Sequence, residues 1–281
     1  MPSSPAPPGP AQLPSGVVSL TTDFGITEPF VGLVKAQILA RHPAARIVDL
    51  THAIAPFCVE AAAFWIGRSY RFFPPGSLHL VIVDPGVGTS RRILAVAVDG
   101  HMFLGPDNGV LGPLAGRTGA SVRAVDRASL TALGVAEPSP TFHGRDIFAP
   151  LAGALSAGEL PFGRLGSACD DWTRPTWPAV ERAGTRLRGR VILVDTFGNC
   201  FSNIDGKSIV PYEVLKVTFG AHQLAWVRTY GERPAGTGVA LINAFGVLEA
   251  ACVEASAARR LGLAPGAAVE VELGRLSPGV D

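Results

Sequence analysis

Residues 78–83 read Leu-His-Leu-Val-Ile-Val and run straight into Asp84-Pro85-Gly86-Val87-Gly88. An apolar run this short, broken only by His79, has no polar face to offer water, so it reads as a strand buried on both sides. Strands of that kind belong to parallel sheets covered by helices on both faces. The flanking sequence supplies the helices. Residues 17–20 form a β-rich run ended by Thr22-Asp23-Phe24-Gly25. Phe30, Val31, Val34, Ile38 and Leu39 recur at helical spacing, with Pro29 suited to the first turn and His42-Pro43 to the end. Residues 46–50 read as a second strand and 59–70 as a second helix. Residues 93–98 and 101–104 read as strands joined at Asp99-Gly100 by a hairpin turn, and 145–156 as a further helix. Strand, helix, strand, helix, strand is the α/β pattern, here with a mostly parallel central sheet.

The rhythm is lost over residues 160–187, which hold Trp172, Trp177, Pro161, Pro175 and Pro178. Beyond Gly189 short strands at 190–194, 214–219, 223–228, 239–243 and 268–273 point to a small β-barrel or sandwich, with 249–261 read as one helix inside it. The organisation expected is therefore a Pro-rich disordered tail over 1–15, an α/β domain over 16–165, a linker over 166–187 and a β domain over 188–281. The tail holds six prolines and no basic residue or apolar stretch, so it does not read as a secretory signal.

Mean hydropathy is +0.30, yet no apolar run reaches the roughly 18 residues of a spanning helix, so no membrane partner is expected. Lys and Arg total 24 against 23 Asp and Glu, a net charge of +1, which leaves no footprint for nucleic acid. Cys58, Cys169, Cys200 and Cys252 are scattered in a way that fits neither a disulfide framework nor zinc-type pairs, and a reducing cytoplasm is the expected setting.

In open α/β sheets ligands bind beyond the carboxyl ends of the strands. Asp23, Asp49 and Asp84 all fall there. One aspartate in a loop is ordinary turn chemistry; three at one sheet end point to a site. Asp84 and Arg91 lie seven residues apart across a glycine loop that can turn them towards each other. His143, in Phe142-His143-Gly144-Arg145-Asp146, precedes a predicted helix. An acid, an Arg and a His on loops at one sheet end form a set able to hold and activate water. No Gly-x-Ser-x-Gly elbow appears, and no zinc motif. Spacing alone leaves open a metal site built from Asp23, Asp49, His52 and Asp84, and with it a metal-dependent phosphoesterase.

Four motifs in order carry a resemblance: Thr21-Thr22-Asp23-Phe24-Gly25; Asp84-Pro85-Gly86-Val87-Gly88-Thr89 with Arg91; Phe142-His143-Gly144-Arg145-Asp146; and Phe197-Gly198-Asn199 with Ser202-Asn203-Ile204. Together they resemble the S-adenosyl-L-methionine (SAM) hydroxide adenosyltransferase family, the adenosine-forming SAM hydrolases related to fluorinase and chlorinase. The resemblance implies an N-terminal α/β domain, a C-terminal β-barrel and a homotrimer with active sites where one subunit's first domain meets a neighbour's second. It implies SAM as substrate, water as nucleophile at the ribose 5′ carbon, and neither cofactor nor metal. The catalytic positions it implies are Asp84, Arg91 and His143. Halogenating relatives carry Tyr at the position of Asp84, and fluorinase a small hydroxyl residue at that of Gly144. Among binding residues, Asp23 matches the aspartate that grips the ribose diol and Phe57 an aromatic residue against the ribose. Phe197 and Asn199 match residues framing the adenine, and Asp195 corresponds to a partner of the methionine ammonium. The chain departs at Asn243-Ala244-Phe245, where relatives carry Asn-Ser before the glycine. The other readings weighed are a SAM-dependent halogenase and a SAM- or adenosine-binding protein without turnover.

Overall fold

A computed structural model describes residues 14–135 and 137–276. The tail expected over 1–15 lies outside the described residues up to residue 13. The chain divides between Pro175 and Thr176 into two compact units.

The first unit has seven strands, β1 (Val17–Thr22), β2 (Arg46–Thr51), β3 (Leu78–Ile82), β4 (Ile93–Val98), β5 (His101–Pro106), β6 (Ser121–Val125) and β7 (Gly166–Ala168), in the order β2-β1-β3-β5-β4-β6-β7. Its helices are α1 (Phe30–Arg41), α2 (Val59–Ser69), α3 (Gly112–Ala115), α4 (Arg127–Ala132) and α5 (Ala149–Ser156). β2, β1, β3 and β5 are parallel; β4, β6 and β7 extend the sheet antiparallel. Every residue of β1 and β3 is buried, as the unbroken apolar run requires. Asp99 and Gly100 close the β4–β5 hairpin with φ of 51° and 78°, the left-handed pair that a two-residue turn between right-twisted strands demands. One sheet face packs on α1 and α5 through Val18, Leu20, Ile38, Leu80, Phe148 and Leu151. Each large aliphatic side chain so buried stabilises the unit by about 1.5–3 kcal/mol. The helix read over 145–156 enters as a π-helical turn, Gly144–Phe148, and continues as α5.

The second unit has β8 (Glu181–Ala183), β9 (Arg186–Val194), β10 (Cys200–Asp205), β11 (Tyr212–Phe219), β12 (His222–Trp226), β13 (Gly238–Ile242), β14 (Val247–Cys252) and β15 (Ala268–Leu276), with helix α6 (Ala257–Leu261) before the last strand. The order β10-β14-β13-β12-β11-β15-β9 closes on itself through a β9–β10 pairing, giving a seven-stranded barrel with β8 paired outside β9. Closure leaves no bare sheet edge within the ring. Val217, Phe219, Leu248, Ala250, Val269 and Val271 fill its interior.

The helix expected over 249–261 is replaced by β14, a turn with Glu254 at φ 56°, and the short α6 capped by Ser256 and ended by Gly262 in the left-handed conformation. The cause is burial on both faces. Leu248, Ala250 and Cys252 face the barrel interior, while Ala251 joins a second cluster with Val227, Val239, Leu241 and Val253. No alternation survives to mark a strand, and the alanines read as helical until ladder pairing overrides them. Residues 166–187 contribute β7 to the first unit and β8 to the second.

Candidate active site

In the first unit a cavity of about 270 Å³ opens beyond the carboxyl ends of β1 and β3, with Asp23, Phe57, Asp84 and His143 on its wall. Asp84 leaves β3 at the start of the glycine loop. Two successive turns, Val87 N–H to Asp84 O and Thr89 N–H to Gly86 O, fold that loop back, and the Thr89 hydroxyl reinforces it by donating to Gly86 O at 2.7 Å. Gly88 has φ +78°, and a Cβ there would fall 2.4 Å from Pro140 O. Only glycine permits this approach, which seats the loop on the segment leading to His143.

The folded loop brings Arg91 onto Asp84. Arg91 Nε donates to Asp84 Oδ1 and Oδ2 at 2.8 and 2.9 Å, and Nη2 also donates to Oδ2. Both side chains are nearly out of water, 9% and 6% exposed, so a fork of this kind holds the carboxylate in one orientation. Arg91 Cζ lies 5.4 Å from the centre of the Phe148 ring, and Nη2 donates to His143 Nδ1 at 3.0 Å. With Nδ1 accepting, the proton of neutral His143 sits on Nε2. Burial first, and then the Arg91 guanidinium, lower the His143 pKa and hold the ring neutral. Arg91 is not on the cavity wall; it stands behind Asp84 and His143 and joins them. The set can hold a water between an acceptor carboxylate and an imidazole N–H donor.

Asp23 follows β1. Its Oδ2 accepts the Phe57 N–H at 2.9 Å, while Phe57 adopts φ 65° and leaves its ring 69% exposed. A large residue in the left-handed region is strained, and such strain is held only where surrounding contacts over-determine it. Phe24, Phe30 and Phe142 pack edge-to-face at 5.4–6.0 Å and form the apolar wall. A Cβ on Gly144 would meet the Phe142 and Phe24 rings at 3.2 and 3.3 Å. Asp49 and His52 do not join Asp23 and Asp84. His52 Nδ1 pairs with the Thr22 hydroxyl at 2.9 Å, His52 Nε2 lies 3.1 Å from Asp49, and Lys35 donates to Asp49 at 2.6 Å. Among the described residues no three His, Cys, Asp or Glu side chains are placed to hold a metal ion.

In the second unit Asp195, Phe197 and Asn199 share the wall of a larger cavity, about 690 Å³. The turn between β9 and β10 carries them. Asp195 accepts the Asn199 N–H at 2.8 Å and its side-chain amide at 3.1 Å. Gly198, at φ +85°, lies so close to Ser256 that a Cβ would come within 2.0 Å of its hydroxyl. The turn is pinned and Phe197 projects from it, 79% exposed. At Asn243-Ala244-Phe245, where the resemblance implies Asn-Ser, the Phe245 N–H is already donated to Asn243 Oδ1 at 3.0 Å. Sequence reading missed Glu249 and Tyr230 on this wall. The signal for Glu249 was one acid inside the apolar stretch Val247-Leu248-Glu249-Ala250-Ala251.

Comparison with known proteins bears on both units. Residues 18–166 match the SAM hydroxide adenosyltransferase N-terminal domain and residues 189–270 the C-terminal domain. A curated (R)-S-adenosyl-L-methionine hydrolase of Thermus thermophilus is 35% identical over 260 residues, covering 90% of this chain and 98% of that one. A fluorinase of an Actinoplanes species is 28% identical over 217 residues, covering 67% and 71%. The crystal structure of an uncharacterized conserved protein from Thermotoga maritima superposes with a TM-score of 0.81 at 32% identity, covering 90% of this chain and 99% of that one. Matched in both units and along almost its whole length, the chain belongs to the SAM hydroxide adenosyltransferase family.

Proposed function

We propose that this chain hydrolyses SAM to adenosine and L-methionine. The observation that carries the reading is the hydrogen-bonded Asp84–Arg91–His143 set beside a cavity that Asp23 and Phe57 also line. In the proposed step the oxygen of water attacks the ribose 5′ carbon, the C5′–S bond breaks, and its electron pair returns to sulfur. Methionine leaves as a neutral thioether, so no general acid is required. The water gives a proton to Asp84. His143 is unsuited to take it, because Nδ1 already accepts from Arg91 and Nε2 carries the ring proton; it donates to the water and aligns it. Arg91 positions both. Alignment of this kind contributes at best about 7–11 kcal/mol, and a positioned base about 10²–10⁴-fold in rate. Asp84 also favours water over halide, since a carboxylate repels an anion at that position and attracts the sulfonium.

Asp23, with two acceptor oxygens, suits the ribose diol, Phe57 the ribose face, Phe197 and Asn199 the adenine, and Asp195 the methionine ammonium. These residues divide between two cavities, and the first is smaller than the roughly 300–1,000 Å³ usual for ligand pockets. This division, with the family resemblance, supports a homotrimer in which each active site joins one subunit's first unit to a neighbour's barrel. At SAM concentrations too low for an Asp195→Ala chain to bind, mixing it with Asp84→Ala chains would then restore turnover in the mixed assembly. The proposed reaction draws on no metal or cofactor. Four thiols free of disulfides support a cytoplasmic setting, and among the described residues no helix is long and apolar enough to cross a membrane.

The test is incubation with SAM in ¹⁸O-labelled water, read by mass spectrometry. Labelled adenosine with unlabelled methionine is expected. Intact SAM, or halogenated adenosine when chloride or fluoride is present, would overturn the proposal.

A further inference from the structure

Glu249 is 1% exposed yet does not point into the barrel. Leu248 and Ala250, its neighbours on β14, take the interior positions, and Glu249 lies on the outer face with Ala251. That face forms the floor of the 690 Å³ cavity, where Glu249 stands among Asp195, Phe201, Tyr230 and Phe245. Its two hydrogen-bond donors are both neutral. The Tyr230 hydroxyl donates to Oε1 at 2.8 Å and the Asn243 amide to Oε2 at 2.9 Å. Asn243 cannot swing away, because its Oδ1 accepts the N–H groups of Phe245 and Val247 at 3.0 and 3.3 Å. Arg259, on the same wall, is exposed and makes no ion pair with Glu249.

A carboxylate removed from water is normally balanced by a cation or neutralised by a proton. Here two oriented donors favour the charged form, but among the described residues no cationic side chain balances it. Burial, and then the field of Asp195, raise the Glu249 pKa accordingly. A cation that enters the cavity from outside would supply that balance. Phe201 and Phe245, ring centres 6.1 Å apart, would flank it with the π faces that cations and short alkyl chains favour.

We infer that Glu249 is a specificity-determining residue whose carboxylate, with Asp195, receives the α-ammonium of the amino-acid end of SAM. The inference rests on the hydrolase reading above. Three ligands separate the substrate's charges: SAM carries sulfonium and ammonium, S-adenosylhomocysteine only the ammonium, and adenosine neither. Calorimetric titration of the full chain with each is the test, with SAM titrated in the Asp84→Ala background so that it is not turned over. Glu249→Gln is expected to weaken SAM and S-adenosylhomocysteine alike, by about 10- to 100-fold, and to leave adenosine unchanged, which also shows that the cavity remains folded. Glu249→Asp keeps the charge and is expected to recover part of the loss. Equal weakening of adenosine, or equal loss in the Asp and Gln variants, would overturn the inference in favour of a role in cavity shape. Loss of SAM affinity alone would assign the charge to the sulfonium and overturn it too, as would no loss at all. Wild-type protein that binds none of the three would instead overturn the hydrolase reading itself.

Discussion

The two units treat buried charge in opposite ways. In the first, carboxylates that are nearly out of water are matched within the chain: Asp84 with Arg91 and Asp107 with Arg92. In the barrel cavity, the partners of Glu249 and Asp195 among the described residues are amides and a hydroxyl. A matched charge is fixed before any ligand arrives, which is what a reacting group needs. An unmatched one waits for a ligand to supply the counter-charge, which is what recognition needs. In the proposed reaction the first unit supplies the chemical step together with the ribose contacts of Asp23 and Phe57, and the barrel supplies the rest of the binding.

The sharpest way to break this division is Asp84→Ala. With chemistry confined to the first unit, kcat should fall about 10²–10⁴-fold while the affinity for adenosine stays as it was. Adenosine formation followed by chromatography and adenosine titration check the two halves of the statement. A variant that keeps its kcat would remove Asp84 from the chemistry.

How far the sequence carried this picture depends on the kind of information each part needs. The parallel half of the first sheet was legible because helix and strand periods alternate there and β3 is apolar throughout. Asp84, Arg91 and His143 were legible as motif residues on loops. The Asp84–Arg91 pairing was legible too, across its short glycine loop; the contact with His143 was not, since Arg91 and His143 are 52 residues apart and meet only because Gly88 lets one loop close on Pro140. β14 was misread because burial on both faces erases the period of two. Glu249 was passed over for the same reason: periodicity tells which face a residue occupies, and only the folded barrel shows that this outer face is covered and lines a cavity.

Acid should separate the two units. His79 on β3 is buried against His101 and accepts or donates at 2.7 Å with Ser19; burial first, then the neighbouring imidazole, lower its pKa to about 3. The folded unit therefore excludes a proton that the unfolded chain accepts. This stability is complete above about pH 6.5 and is lost as pH falls from there towards 3, by about 1.4 kcal/mol per unit. Asp99, Asp126 and Asp146, held low by hydrogen bonds from Tyr70, Ser129 and Arg145, add losses in the same direction near the bottom of that range. Glu249 has the opposite sign: its raised pKa means that the folded barrel takes up a proton first and gains relative stability on acidification. Hydrogen exchange between pH 7 and 4 should show protection falling in the first unit ahead of the barrel. Simultaneous loss in both would break the comparison.

Phe197→Ala tests the barrel's side. The ring is 79% exposed and supports little else, and stacking against a base contributes about 1–3 kcal/mol. KM for SAM should rise about tenfold or more, with kcat and melting temperature unchanged. A fall in kcat at saturating SAM would place chemistry in the barrel as well.

The smallest effect separates Phe57 from Phe197. Phe57 is itself in the left-handed conformation at φ 65°, held by the Asp23 contact, whereas Phe197 leaves that conformation to Gly198. Glycine at position 57 would relieve the strain that alanine retains, roughly 1–2 kcal/mol, against a backbone-entropy loss of about 0.5–1 kcal/mol for glycine. Phe57→Gly should therefore be more stable than Phe57→Ala by up to about 1.5 kcal/mol, the reverse of the usual order, while both lose the ring and raise KM equally. At position 197 the usual order should hold, with alanine the more stable. Denaturant midpoints of the four variants decide it. The inversion at 57 alone means that the first unit stores strain at its substrate wall and the barrel does not; inversion at neither site removes strain from the distinction between them.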